Sequence, residues 1–204
     1  ISIKWMLKKC IFKIFSQNTN YWFVQTPTSK KIIKDFIKSD KTILLYPFFQ
    51  KFSKKDSIKF NKINNKSINF LYVSTAENYK NHKNLLKAFS LYYNYYNHSS
   101  LTLTVSKNYN KVYNLINKYK NDGINIINKG FISSESLRKE YEKADVLIYP
   151  SSFESFGLGL IEAAQYNLPI IASNLPYVFD IIKPSHTFDP LDFSSIFDAM
   201  KNHK

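Results

Sequence analysis

Along this chain, short apolar runs alternate with stretches whose apolar positions recur every three or four residues, and the alternation becomes regular after residue 69. The runs predict buried strands at 70–74, 101–105, 124–127, 145–149 and 169–172. Helical periodicity fills the gaps, near 84–96, 108–121, 134–143 and 157–166, with a further helix from Phe193. Strands and helices joined in turn by short connections predict the α/β class: a Rossmann-like parallel sheet with helices on both faces and right-handed crossovers.

The first third reads differently. Ile3, Met6, Leu7, Cys10, Ile11, Ile14 and Phe15 fall at helical spacing with Lys4, Lys8, Lys9 and Lys13 among them, which predicts a basic amphipathic helix. Such a helix either packs on a domain surface or rests on anionic lipid headgroups, and the pattern alone leaves both open. A strand is expected at 21–26, a helix from 27 or 28 to 38, and a second strand at 41–46. Residues 47–69 carry Pro47 and many Lys, Asn and Ser without a sustained period, as a linker does. The expected division is a partial domain at 1–46, a linker at 47–69 and a second domain at 70–204. The cluster Tyr92-Tyr93-Asn94-Tyr95-Tyr96 reads as a helix face with wet phenol tips rather than a platform for bases.

Composition narrows the partners. The net charge of +14 suggests nucleic acid or an anionic membrane, but residues 1–69 hold 15 Lys against 3 acids, and residues 70–204 hold 14 basic residues against 12 acids. Arg138 is the single arginine, and planar bidentate base contacts favour arginine, so a nucleic-acid partner is disfavoured. Cys10 is the sole cysteine, which rules out an internal disulfide and fits a reducing compartment. His82, His98, His186 and His203 lack metal-ligand spacing. No apolar stretch reaches the roughly 18 residues of a membrane span, and lysines interrupt the start where a signal peptide would be apolar. The expected location is cytoplasmic, with peripheral contact at the inner face of the cytoplasmic membrane. The chain opens on Ile1 rather than methionine, and a fragment is expected.

Candidate chemistry concentrates in Glu154-Ser155-Phe156-Gly157-Leu158-Gly159-Leu160-Ile161-Glu162, between the apolar run 145–149 and a helix. Of four glycines in the chain, Gly157 and Gly159 both lie here, which points to a backbone requirement. The N–H groups of Phe156, Gly157 and Leu158 at a helix start favour a diphosphate. Each carboxylate can accept from two hydroxyls, so Glu154 suits a hexose at one end of such a ligand and Glu162 a ribose at the other. A Glu near a helix N-terminus is also favourable by itself, with no ligand involved.

The run Phe153-Glu154-Ser155-Phe156-Gly157-Leu158-Gly159-Leu160-Ile161-Glu162-Ala163-Ala164, followed by Asn167-Leu168-Pro169-Ile170-Ile171-Ala172-Ser173, resembles the signature of retaining family 4 glycosyltransferases of the GT-B fold (group 1 glycosyl transferases). Lys80-Asn81-His82-Lys83-Asn84-Leu85-Leu86, Gly130-Phe131-Ile132-Ser133 and Phe188-Asp189-Pro190 look like further family segments, in order. Upstream, Val24-Gln25-Thr26 and Tyr46-Pro47-Phe48 look like the end of an acceptor domain and the crossing into the donor domain.

The resemblance implies the C-terminal, donor-binding half of a GT-B enzyme with a remnant of the N-terminal half. It implies a nucleotide-diphosphate-sugar donor, a glycan or lipid-linked acceptor, retention of configuration, and neither metal nor other cofactor. Glu154 and Lys80 become the expected catalytic pair. Ser74, Thr75, Lys80, Gly130, Ile132, Glu154, Ser155, Phe156, Gly157, Leu158 and Glu162 become the expected donor contacts. Many members carry Gly-Arg where this chain has Ser74-Thr75, so Lys80 is expected to meet the diphosphate alone or with Lys83. The setting implied is assembly of bacterial surface polysaccharide or lipopolysaccharide. Acceptors bind mainly to the first domain in this family, so these residues alone are expected to transfer little or no sugar. The alternatives are a non-catalytic nucleotide- or nucleic-acid-binding module, or an inactive fragment of such a transferase.

Overall fold

A computed structural model of the chain describes residues 3–37, 42–47 and 67–203, which fall into two compact units, Ile1–Gln50 and Lys51–Lys204. The first unit holds α1 (Ile3–Ser16), β1 (Tyr21–Val24), α2 (Pro27–Ile37) and β2 (Thr42–Leu45), with β1 and β2 paired in parallel. Proline at the first helical position suits the start of α2, because its missing N–H has no intrahelical role there. The Thr26 hydroxyl caps this start by accepting from the Ser29 N–H at 3.1 Å. Val24, Ile37 and Ile43 form a small core backed by Trp22, Ile33 and Phe36. The basic helix predicted near the start is α1, and its Phe12 ring packs on Trp22 and Phe36 at 5.1 and 5.3 Å. Met6, Leu7, Ile11, Ile14 and Phe15 of α1 are exposed within this unit.

Most of the expected linker, residues 48–66, lies outside the described residues. Ile68 is already buried, and Asn69 opens the first strand of the second unit.

That unit runs β3 (Asn69–Tyr72), α3 (His82–Tyr95), β4 (Ser100–Leu103), α4 (Asn110–Asn121), β5 (Ile126–Asn128), α5 (Ser134–Lys143), β6 (Val146–Tyr149), α6 (Leu158–Gln165), β7 (Ile170–Ser173), α7 (Pro176–Phe179), β8 (His186–Phe188) and α8 (Phe193–Asn202). All pairings are parallel, in the order β5-β4-β3-β6-β7-β8. The predicted strands appear within one or two residues of their expected limits; β8, which has no apolar run to announce it, and the short α7 were not expected. Polar His186 and Thr187 make up most of β8, an edge strand that needs only one buried side chain, Phe188.

β6 and β7 are buried at every position, as expected of strands covered on both faces. Right-handed crossovers place α3 and α4 on one face, with α8 packed against α3. The return from β5 to β6 runs in the opposite direction and places α5 and α6 on the other face. Phe70 anchors the core of the first face, meeting Tyr92 edge-on at 5.1 Å and Phe89 at 6.1 Å. Of the tyrosine cluster, Tyr92 is fully buried while Tyr95 is exposed, so one phenol sits deeper than the sequence pattern suggested.

The strand order reverses between β3 and β6. Loops leaving the C-terminal ends of these two neighbours diverge to opposite faces, and that opens a crevice where α/β sheets bind ligands.

Phe70→Ala should lower unfolding stability by about 3–5 kcal/mol in equilibrium denaturation, the cost of an aromatic cavity in a packed core. Leu191→Ala, at an exposed position, should change it by less than about 0.5 kcal/mol. Equal effects at the two positions would contradict this account of the core.

Candidate functional site

β3 leads into Val73-Ser74-Thr75, a single 3-10 turn (Asn78–Lys80), and Asn81 in the left-handed region at φ 59°, before α3 begins. Asparagine tolerates that conformation, and here its side chain has a second task. Asn81 Nδ2 donates to the carbonyls of Pro150 at 3.1 Å and Pro190 at 2.7 Å, so one carboxamide ties the loops after β6 and β8 to the turn after β3. Ser152 N–H donates to the Tyr79 carbonyl at 2.7 Å. Tyr72 OH donates to the Lys80 carbonyl at 2.9 Å, and with its one proton spent it accepts from Ser151 Oγ, also at 2.9 Å. The backbone of Lys80 is thereby fixed at the mouth of the crevice.

From there Lys80 Nζ reaches Glu154 Oε1 at 2.7 Å. The two side chains are only 12% and 9% exposed, so this pair is largely shielded from water. Tyr149 OH, at the end of β6, donates to the same oxygen at 3.1 Å. Burial, reinforced by the Glu154 charge, pushes the Tyr149 phenol well above its ordinary range, which keeps it a donor at every working pH.

Glu162, on α6, has a matching partner. Tyr141 OH of α5 donates to Glu162 Oε2 at 2.7 Å. Burial and the Glu162 charge raise the Tyr141 phenol well above its usual value. The Glu162 carboxyl is itself raised by burial, against the opposing pull of the Tyr141 hydrogen bond.

The two glycines of the intervening turn have separate causes. Gly157, at φ 72°, sits where an L side chain is strained, and its lack of a side chain leaves the start of α6 without a side-chain cap. Gly159 is helical, but a Cβ there would lie 3.1 Å from Tyr149 Cε2 and 3.7 Å from both Tyr141 OH and the Val73 carbonyl. α6 therefore presses against both phenols and the end of β3. Through those tyrosines, the two carboxylates flank a single close contact.

The other expected donor contacts divide. Phe156 is buried and Ser155 and Leu158 are exposed on the same turn as Glu154. Ser74 is engaged with neighbouring elements: its N–H donates to Thr104 Oγ1, just past β4, at 3.1 Å, and its hydroxyl lies 3.3 Å from His82 Nε2 at the start of α3. Burial lowers His82 to about 4, so the ring is neutral near pH 7. The Thr75 hydroxyl donates to Glu77, which also accepts from Tyr109 OH at 2.7 Å. Gly130, at φ 69°, and half-buried Ile132 lie on the loop after β5, which two strands, β4 and β3, separate from β6. Among the described residues no hydrogen bond, ion pair or ring contact joins that loop to Lys80 or Glu154. Lys83 is exposed on the first turn of α3.

Sequence reasoning missed Tyr72, Tyr141 and Tyr149, the phenols that hold this site. The usable signal was a tyrosine ending each of β3 and β6, the two strands whose ends border the crevice. Among the described residues, no three His, Cys, Asp or Glu side chains gather as metal ligands, and no helix is long and apolar enough to cross a membrane.

Comparison with known proteins agrees with this architecture. A serotype-specific mannosyltransferase, WbdA of Escherichia coli, is 34% identical over 124 residues, covering 58% of this chain and 15% of that protein. TarM superposes with a TM-score of 0.76 at 18% identity, over 96% of this chain and 38% of its own. The pneumococcal O-GlcNAc transferase GtfA, solved in complex with UDP and GlcNAc, superposes with a TM-score of 0.71 at 16% identity, over 95% of this chain and 41% of its own. At such identities the structural likeness shows the fold alone, that of GT-B glycosyltransferases, and this chain spans well under half of each of these proteins. The profile of the family described as glycosyl transferases group 1 matches residues 53–190, from ahead of β3 through the Pro190 carbonyl that Asn81 binds. With most of its length inside that profile, the chain belongs to the group 1 glycosyltransferases.

Proposed function

We propose that this chain supplies the donor-binding half of a retaining glycosyltransferase that moves a sugar from a nucleotide-diphosphate sugar to a glycan or lipid-linked acceptor, in bacterial surface polysaccharide synthesis. The observation that carries this reading is the Lys80–Glu154 pair beside the uncapped start of α6, at the reversal of the strand order. In it, the diphosphate lies against the first amides of α6 and Lys80. The sugar hydroxyls donate to Glu154, and the ribose diol donates to Glu162. As the bond from the anomeric carbon to the diphosphate oxygen breaks, negative charge grows on the departing diphosphate. With the donor seated, Lys80 has turned to the diphosphate, so it and the α6 amides face that charge and need no further rearrangement to stabilise it. The acceptor hydroxyl oxygen then bonds to the anomeric carbon on the face the diphosphate leaves, and its proton passes to the departing diphosphate oxygen.

Support for the donor class comes from UDP in the GtfA complex, and for the product class from the serotype-specific mannosyltransferase. The acceptor, the polymer and the full catalytic act belong to the whole enzyme, and these residues alone should transfer little sugar. The exposed apolar side chains of α1, with Lys13 exposed among them, suit contact with an anionic lipid surface, where a lipid-linked acceptor would reside.

Calorimetric titration with UDP and GDP sugars should show one of them binding, and Glu162→Gln should weaken that donor about ten- to a hundredfold by removing charge-assisted hydrogen bonds. Unchanged affinity in this variant would remove Glu162 from the site. Because burial raises the Glu162 carboxyl, its charged form is lost at a higher pH than for an ordinary glutamate. Donor affinity should therefore fall on acidification while exposed carboxylates are still ionised, and Glu162→Gln should flatten that pH profile. Gly159→Val should abolish donor binding with circular dichroism unchanged, since its side chain displaces the Tyr149 and Tyr141 rings. Full binding by Gly159→Val would refute the close-approach argument.

A further inference from the structure

We infer that Glu154 is the residue by which this site tells an intact nucleotide-diphosphate sugar from a bare nucleoside diphosphate, an inference that rests on the donor-site reading above. Glu154 holds Lys80 to itself at 2.7 Å. Both side chains are about nine-tenths buried, so water does little to compensate either partner when the pair is broken.

The two ligands face different exchanges. A bare diphosphate must draw Lys80 away and leave the Glu154 carboxylate without its cation, beside a second anion, with the Tyr149 phenol as the remaining donor to Oε1. An intact donor draws Lys80 to the diphosphate and offers sugar hydroxyls to Glu154 in the same event. Every hydrogen bond surrendered is then replaced. The exchange needs only rotation of the Lys80 side chain, because its carbonyl stays fastened to Tyr72 OH at 2.9 Å. Tyr149 cannot reverse its role, since burial and the carboxylate keep its phenol protonated. After transfer, the sugar no longer occupies Glu154, and the carboxylate recaptures Lys80 from the product diphosphate.

The test is a double-substitution cycle read by calorimetry, with inorganic pyrophosphate as a base-independent probe and with UDP and GDP each beside their sugars. Glu154→Gln should tighten pyrophosphate about tenfold while narrowing the preference for nucleotide sugar over nucleoside diphosphate. In a Lys80→Ala background the same substitution should give no gain. A gain that persists without Lys80 would mean simple charge repulsion and overturn the inference. So would pyrophosphate affinity that Glu154→Gln leaves unchanged or lowers, and in that case a loss on Lys80→Ala would leave the donor site standing. If Lys80→Ala changes neither pyrophosphate nor nucleotide binding, the donor site itself falls, and this inference with it. Should Glu154→Gln fail to fold, Glu154→Ser carries the same cycle.

Discussion

The carboxamide of Asn81 is the joint on which this site depends. A parallel sheet whose strand order reverses between β3 and β6 parts two loops and offers a crevice, but it does not hold the loops at a useful separation. Asn81 does so by donating to Pro150 and Pro190, assisted by Ser152 on the Tyr79 carbonyl and by Tyr72 on the Lys80 carbonyl. A cation on a long flexible stem then becomes a group of defined position. The left-handed backbone at Asn81, a small local cost, is what turns the carboxamide toward both carbonyls while the chain enters α3.

Tyrosine is used at this site for a property that serine lacks. A phenol at a strand or helix end carries a donor several ångströms from its own backbone, with an apolar ring that fills the space between. Tyr141 and Tyr149 serve the two acids this way, and their raised pKa values mean that neither ever competes with its carboxylate for the role of acceptor. Burial raises the Glu162 carboxyl, so its charge is maintained at the expense of stability and is available to a ligand with hydroxyls to give.

The second unit was largely legible because its strands are covered on both faces. Continuous apolar runs such as Val146-Leu147-Ile148-Tyr149 have no competing helical reading when bounded by turns, and α5 spans the expected 134–143, with the Ser133 hydroxyl capping its start by accepting from the Ser136 N–H. β8 was invisible because an edge strand with one buried residue has no pattern to read. At the site, Lys80, Glu154 and Glu162 stood out by motif, whereas their phenolic partners come from other elements and become neighbours only when the sheet order is known. Ser74 and Thr75 illustrate the reverse limit: their place in the loop was readable, but their attachment to His82, Thr104 and Glu77 was not.

The contact at Gly159 bears on how such a molecule can change its ligand. With helix backbone laid against the Tyr149 ring and beside the Tyr141 hydroxyl, the spacing of the acids is set by van der Waals tolerance, and a side chain introduced there would push on the phenols that hold them. Room for variation lies in parts that carry no such constraint, above all the loop bearing Phe131, whose ring is 91% exposed. In the proposed donor site, variation would therefore fall to such exposed loop residues, set around an unyielding frame.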